Sequence, residues 1–378
     1  MTYSFTLVRA PVVLPEQIRP LTSLRFFAAL WVVLYTYIQE LDLGVHFGLI
    51  DHGYLGVDLF FVLSGFILSH VYLEGFGGGR FNYGSFITHR LARIYPLHIA
   101  TLLFTLLLIG LAALNGVELD ANAGNPAALP AHLLLMQAWG LAPTSSFNHP
   151  SWSISAEWFA YLSFPAAAWA AWRLRARPML AVGLAVLLLL VLYIAFEAVT
   201  GSPLTQATFQ WGALRIVPAF LLGAALYLAR RAGAVDRPAI AAAGAMAAGL
   251  IVVAASSFSR ADAIIVIACG LLVLSMSGLG RDGGSVLSSP VLVYLGEISF
   301  AIYMIYVPWK WLYLRAVNGL LGTDHQPLPF VWWFAGLLAL VPLSMLAHHL
   351  IEVPCRGVVR RFGEKILVRF GPKFARQG

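Results

Sequence analysis

Six charged side chains stand inside segments that are otherwise apolar, and these are the groups of this chain that could do chemistry. Arg25 lies in LRFFAALWVVLYTY, Asp58 in GVDLFFVLSGF, Arg90 and Arg93 in FITHRLARIYPLH, Glu157 in WSISAEWFAYL, and Arg215 in WGALRIVPAFLLG. A charge buried in a membrane helix is costly, needs a partner or a cavity, and marks a functional site by default. Arg90 and Arg93 are three residues apart and share a helical face. At a helix start, two guanidiniums add to the free N–H groups and the macrodipole to make an anion site. The plainer alternative is an anchor on the basic side of a membrane. Asp58 needs a counter-charge, for which Arg25 is the first candidate, and a structural ion pair or helix cap is its simplest account. Glu157 suits a proton carrier, a partner for Arg25 or Arg215, or a hydrogen-bond anchor for a sugar. Trp152 and Trp158 beside it fit an interfacial aromatic belt or a stacking platform for a glycan ring. Arg215 marks a cavity or an ion pair.

The elements that position these groups are membrane helices. Hydrophobic residues make up 60% of the chain and charged residues 11%, against about 25% charged in a soluble domain. The net charge of +7 comes from basic residues lying between apolar runs, which points to membrane orientation rather than nucleic acid. Cys269 and Cys355 give neither a metal spacing nor a disulfide framework, and no cleavable signal is visible. A span needs about 20 apolar residues. That rule predicts ten helices, near 22–43, 54–74, 92–115, 151–172, 179–199, 209–229, 238–257, 262–280, 292–316 and 328–351. The segment 129–141 is too short to cross and is expected to be interfacial or re-entrant. With ten spans, Arg9, Arg19, Arg80, Arg90, Arg93, Arg173, Arg175, Arg177, Arg230, Arg231, Arg237, Arg281 and the tail basics, from Arg356 to Arg376, share one side. Only Arg260 and Arg315 fall opposite. Both termini are therefore expected in the cytoplasm. The expected organisation is a cytoplasmic segment 1–20, an all-α polytopic bundle 21–357 and a basic cytoplasmic tail 358–378.

Five motifs in order, from about residue 20 to 357, resemble the membrane acyltransferase family 3. They are Arg25 and its helix, GVDLFFVLSGF, the Arg90/Arg93 pair, WSISAE with Glu157, and LGEISFAIY. The run after Arg215 and the closing IEVP with Glu352 and Pro354 extend the likeness. The resemblance implies an enzyme of the bacterial inner membrane. It implies transfer of an acyl group, acetyl in the first instance, from a cytoplasmic acyl-CoA to a sugar hydroxyl. The acceptor would be an extracytoplasmic polysaccharide or lipid-linked oligosaccharide, with no metal and no nucleic acid. It assigns the donor to Arg25, Arg90, Arg93 and Arg215, and catalysis to position 36, Asp58, Glu157 and position 306.

Two positions depart from the family pattern. The catalytic histidine expected eleven residues after Arg25 is Thr36, and the histidine expected late in the chain is Tyr306. Threonine cannot deprotonate a sugar hydroxyl at neutral pH unless another base activates it. Three accounts stay open: an engineered inactive variant, a member using another base, or a silent relative acting as a partner in polysaccharide assembly. Glu40, His46, His52 and His149 are the outer-side candidates for a substitute base. Tyr306, as a second departure, argues against a simple point change. A transporter would also suit ten helices with buried charges, but no inverted repeat is visible. His348 and His349 point about 100° apart on a helix, which disfavours one shared metal site.

Overall fold

Each long apolar run becomes a helix in the computed structural model, which describes residues 14–15, 17–41, 46–117, 122–279, 285–322 and 327–370. The helices are α1 (Arg19–Tyr37), α2 (Gly48–Asp51), α3 (Gly56–Gly77), α4 (Tyr83–Leu114), α5 (Leu129–Leu133), α6 (Ser151–Leu174) and α7 (Pro178–Thr200). There follow α8 (Gly212–Arg231), α9 (Pro238–Ala255), α10 (Asp262–Met276), α11 (Pro290–Glu297), α12 (Ser299–Leu321), α13 (Phe330–Ala347) and α14 (Val353–Phe370). No strand occurs among the described residues. Arg9, Arg281, Lys373 and Arg376 lie outside them.

The helix ends have local causes. Proline opens α1, α7, α9 and α11, where its missing N–H would have had no helical partner anyway. The Asn82 side chain caps α4 by accepting from the Ser85 backbone N–H at 2.9 Å. That cap corrects the expectation for Arg90 and Arg93. The helix starts at Tyr83, so both arginines sit two turns or more inside it, out of reach of the free N–H groups and of the dipole, which fades beyond the first turn.

Small residues set the close helix crossings. A Cβ on Gly65 would overlap the Phe220 carbonyl, and one on Gly223 the Val62 carbonyl, so α3 and α8 touch backbone to backbone. Gly53 and Gly56 meet α1 at Trp31 and Ala28 in the same way. α3 and α8 are largely buried at the centre, whereas α7 and α9 expose rows of leucine, isoleucine and valine, the surface that lipid covers.

Seven helical segments are long and apolar enough to cross a membrane: 19–40, 53–77, 83–114, 178–200, 212–231, 238–255 and 330–367. An eighth is the pair α11 and α12, bent by 56°. The protein is thus an all-helical integral membrane protein. Two expected spans look different: 151–172 is the 24-residue α6, whose polar face lowers its hydropathy, and 262–280 is the 15-residue α10. The segment 129–141 forms α5 and a turn, and doubles back on α6. There Gln137 Nε2 donates to the Ser151 carbonyl at 2.9 Å, and Trp139 Nε1 to the Ser155 carbonyl at 3.0 Å.

Candidate functional site

A cavity of about 120 Å³ opens between α1, α3, α4, α6 and α12. Helical periodicity builds its walls. Ser153, Glu157 and Tyr161 recur every four residues on one face of α6, and Arg90 and Arg93 share a face of α4. α3 contributes Phe60, Phe61, Ser64 and Ile67, α1 contributes Arg25, and α12 contributes Phe300 and Tyr303. The lining therefore gathers three guanidiniums, mostly apolar walls and one carboxylate, Glu157. Glu157 Oε1 accepts from Ser64 Oγ at 3.0 Å, and Tyr161, one turn on along α6, lies within electrostatic reach of it. The Arg90 guanidinium lies 5.6 Å from the Tyr72 ring and 5.9 Å from the Tyr161 ring, so two aromatic faces hold the charge by cation–π attraction. Arg25 lies within electrostatic reach of Arg93, Glu157 and Glu352.

The other two charges singled out in the sequence lie elsewhere. Asp58 pairs with Arg215, not with Arg25: Arg215 Nη2 donates to Asp58 Oδ2 at 2.6 Å, and Nε to Oδ1 at 3.3 Å. The remaining Arg215 donors meet the carbonyls of Tyr54 and Ala207, both at 3.1 Å. Trp152 covers the guanidinium at 4.9 Å, so this tryptophan is a core residue and not a belt or glycan platform. Asp58 and Arg215 are essentially inaccessible and do not line the cavity. Their donors and acceptors are already matched, and the pair joins α3 to α8.

The comparisons with known proteins agree with this architecture. A family model for the acyltransferase domain of family 3 matches residues 20–349. The chain belongs to acyltransferase family 3. It is 32% identical over 375 residues to Acyltransferase MdmB of Streptomyces mycarofaciens, covering 90% of this chain and 92% of that protein. A 49-residue stretch is 49% identical to Protein 2 in picA locus of Rhizobium radiobacter, covering 13% of this chain and 26% of that one. No solved structure matches. The protein is an acyl-transferring enzyme of the membrane.

In this acyltransferase the two positions at which the sequence resemblance led us to expect histidine, Thr36 and Tyr306, stand close together. The Thr36 side chain lies within electrostatic reach of the Tyr306 hydroxyl. Thr36 Oγ1 also donates to the Val32 carbonyl at 3.1 Å. Tyr37 Oη donates to the Tyr306 carbonyl at 2.8 Å, which locks α1 to α12. The Tyr306 ring lies 5.9 Å from that of Tyr303, a cavity residue, so Tyr306 stands next to the cavity wall. One turn further, Lys310 Nζ pairs with Glu40 Oε1 at 2.7 Å.

Sequence reasoning missed Tyr72, Tyr161 and Ser64 in the acyltransferase site. The four-residue spacing of Glu157 and Tyr161 was the available signal. Nothing local announces Tyr72 or Ser64, whose roles depend on how α3 faces α4 and α6. Also missed was a second polar cluster, in which Asp262 accepts from Tyr54 Oη at 2.8 Å and from Thr205 Oγ1.

Proposed function

We propose that this acyltransferase moves an acyl group, acetyl in the first instance, from cytoplasmic acyl-CoA to a sugar hydroxyl of an extracytoplasmic polysaccharide or lipid-linked precursor, in a bacterial inner membrane. The observation that carries the reading is that one cavity is lined by Arg25, Arg90 and Arg93 together with Glu157. Guanidiniums recognise phosphate through strong charge-assisted hydrogen bonds, as the phosphates of a coenzyme A thioester require. The apolar wall suits the pantetheine arm and acyl group. The family likeness supplies the acceptor class. Ten crossings with both termini cytoplasmic complete the proposal: the seven spans, the bent pair, α6 and α10 together make ten. The basic residues then gather on the donor side.

Glu157 takes the role of base in this reading. Among the described residues it is the carboxylate that lines the cavity. The other candidates are engaged outside it: Glu40 with Lys310, His52 with the Gly48 carbonyl at 2.8 Å, and His149 packed against Phe209. His46 is 97% exposed. The acceptor hydroxyl gives its proton to the Glu157 carboxylate as its oxygen bonds to the thioester carbonyl carbon. The carbon–sulfur bond then breaks and Glu157 returns the proton to the departing sulfur. Ser64 and Tyr161 orient the carboxylate, and Thr36 and Tyr306 shape the acceptor end.

The test uses the purified chain in detergent with acetyl-CoA. Glu157→Gln is expected to lower acyl transfer by about 100-fold or more, the usual worth of general acid–base catalysis, while acetyl-CoA still binds. Arg90→Ala with Arg93→Ala is expected to weaken that binding. Full-rate transfer by Glu157→Gln would remove the base from Glu157. No acetyl-CoA binding by the unmodified chain would remove the donor.

A further inference from the structure

A fourth arginine stands on α14, which packs against α4, the helix of Arg90 and Arg93, and a feature at the far end of the chain positions it. Between α13 and α14 the helix takes one wider π turn, His348–Glu352, a local defect often found at functional sites. It puts Glu352 indoors, at 2% exposure. A buried carboxylate must be compensated, and Glu352 divides itself between two partners. Its Oε2 meets His348 Nδ1 at 2.8 Å, and its Oε1 accepts from Arg356 Nη2.

Arg356 is only partly used by that pair. Its Nε is buried with no hydrogen-bond partner, as is the Nε of Arg90, while 39% of its side chain remains exposed. Arg356 is within electrostatic reach of both Arg93 and Arg90, and Glu352 is within reach of Arg25. Since α14 packs against α4, Arg356 joins Arg25, Arg90 and Arg93 in one electrostatic neighbourhood with two carboxylates, Glu157 and Glu352. An ordinary helix-surface pair four residues apart would stabilise α14 only weakly. It would not explain a buried carboxylate, two unpartnered guanidinium N–H groups and four like charges in one place.

We propose that Arg356 is a further donor-site cation, held in place by Glu352 until phosphate oxygens of the donor take over that carboxylate's contact. The ligand class is a thioester carrying more than one phosphate group, and the inference rests on the donor reading above. The α14 helix is then a wall of the donor entrance as well as the start of a basic tail.

The experiment compares acetyl-CoA with S-acetylpantetheine, which lacks the phosphates, on the full chain in neutral detergent. Arg356→Gln is expected to weaken acetyl-CoA binding about tenfold, as the loss of one charged hydrogen bond implies, and to leave S-acetylpantetheine unchanged. Arg356→Lys should recover part of the loss. Glu352→Gln reads the same contact from the other side and should strengthen acetyl-CoA binding, since Arg356 then has no internal competitor. Unchanged acetyl-CoA affinity in Arg356→Gln, or equal losses for both ligands, overturns the proposal. So does weaker acetyl-CoA binding in Glu352→Gln. A defect seen only in nanodiscs containing phosphatidylglycerol also overturns it, by assigning Arg356 to lipid headgroups. Loss of acetyl-CoA binding in the Arg90/Arg93 double variant, with none in Arg356→Gln, leaves the donor reading standing and removes this inference alone. No binding of acetyl-CoA by the unmodified chain removes both.

Discussion

Asp58 and Arg215 carry opposite charges into an apolar bundle and are tolerable there only together. Every contact of this pair is internal, so neutralising one partner strands the other. Asp58→Asn is expected to destabilise the fold by about 3–5 kcal/mol, the usual result of breaking a buried pair. Thermal unfolding in detergent checks this, and a double Asp58→Asn, Arg215→Met variant should lose less than the sum of the single variants. Thr36 yields a different expectation. If Glu157 is the base, Thr36→His changes the transfer rate by less than about tenfold. A rise of about 100-fold, the scale of a restored general base, would assign the missing role to position 36. Since Thr36 lies near Tyr306, the same rate should be measured in Thr36→His with Tyr306→His.

At the scale of the element, α5 carries a histidine whose ring is held by shape rather than by polar bonds. His132 is fully buried, neither of its ring nitrogens is hydrogen-bonded, and Phe147 and Phe209 pack on the ring. Its backbone carbonyl accepts from His98 Nε2 at 2.8 Å. Burial, with His98 beside it, pushes the His132 imidazole down to about 3 from 6.5. Between those pH values the unfolded chain binds a proton that the folded chain refuses. The fold therefore loses stability as pH falls through that window, by up to about 1.4 kcal/mol per pH unit. His132→Leu removes the titrating ring and keeps the apolar contacts. Unfolding temperatures at pH 8 and pH 5 should differ less in this variant than in the unmodified chain.

For the whole molecule, the decisive question is which loops share a side of the membrane. Ten crossings place Arg175 and Arg260 on opposite sides. In a background lacking cysteine, with Cys269→Ala and Cys355→Ser, single Arg175→Cys and Arg260→Cys variants report this directly. A membrane-impermeant thiol reagent added to intact cells with a permeable outer membrane is expected to label position 260 and spare 175. Labelling of both, or the reverse pattern, would reject the ten-span topology. Both arginines are exposed in the structure, so access is set by the membrane and not by packing.

The sequence by itself determined the membrane class, the family and most of the helices, because these depend on composition and short-range periodicity. Runs of about 20 apolar residues announce their own fate in lipid, and glycines in GYLGVDLFFVLSGF announce close helix contact. It also singled out Arg25, Arg90, Arg93 and Glu157, since charge in an apolar helix is conspicuous wherever it lies. What it could not decide was who faces whom. Asp58 had Arg25 as its first candidate, and only the parallel packing of α3 on α8 gave it Arg215. The start of α4 turned on a cap at Asn82, ahead of the apolar run that was being counted. Thr36 and Tyr306, 270 residues apart, came together only when α1 met α12, and Arg356 left the basic tail for the arginine cluster because α14 packs against α4. A side chain's partner is a tertiary fact: helix periodicity fixes the face on which it stands, and helix packing alone supplies the opposite wall.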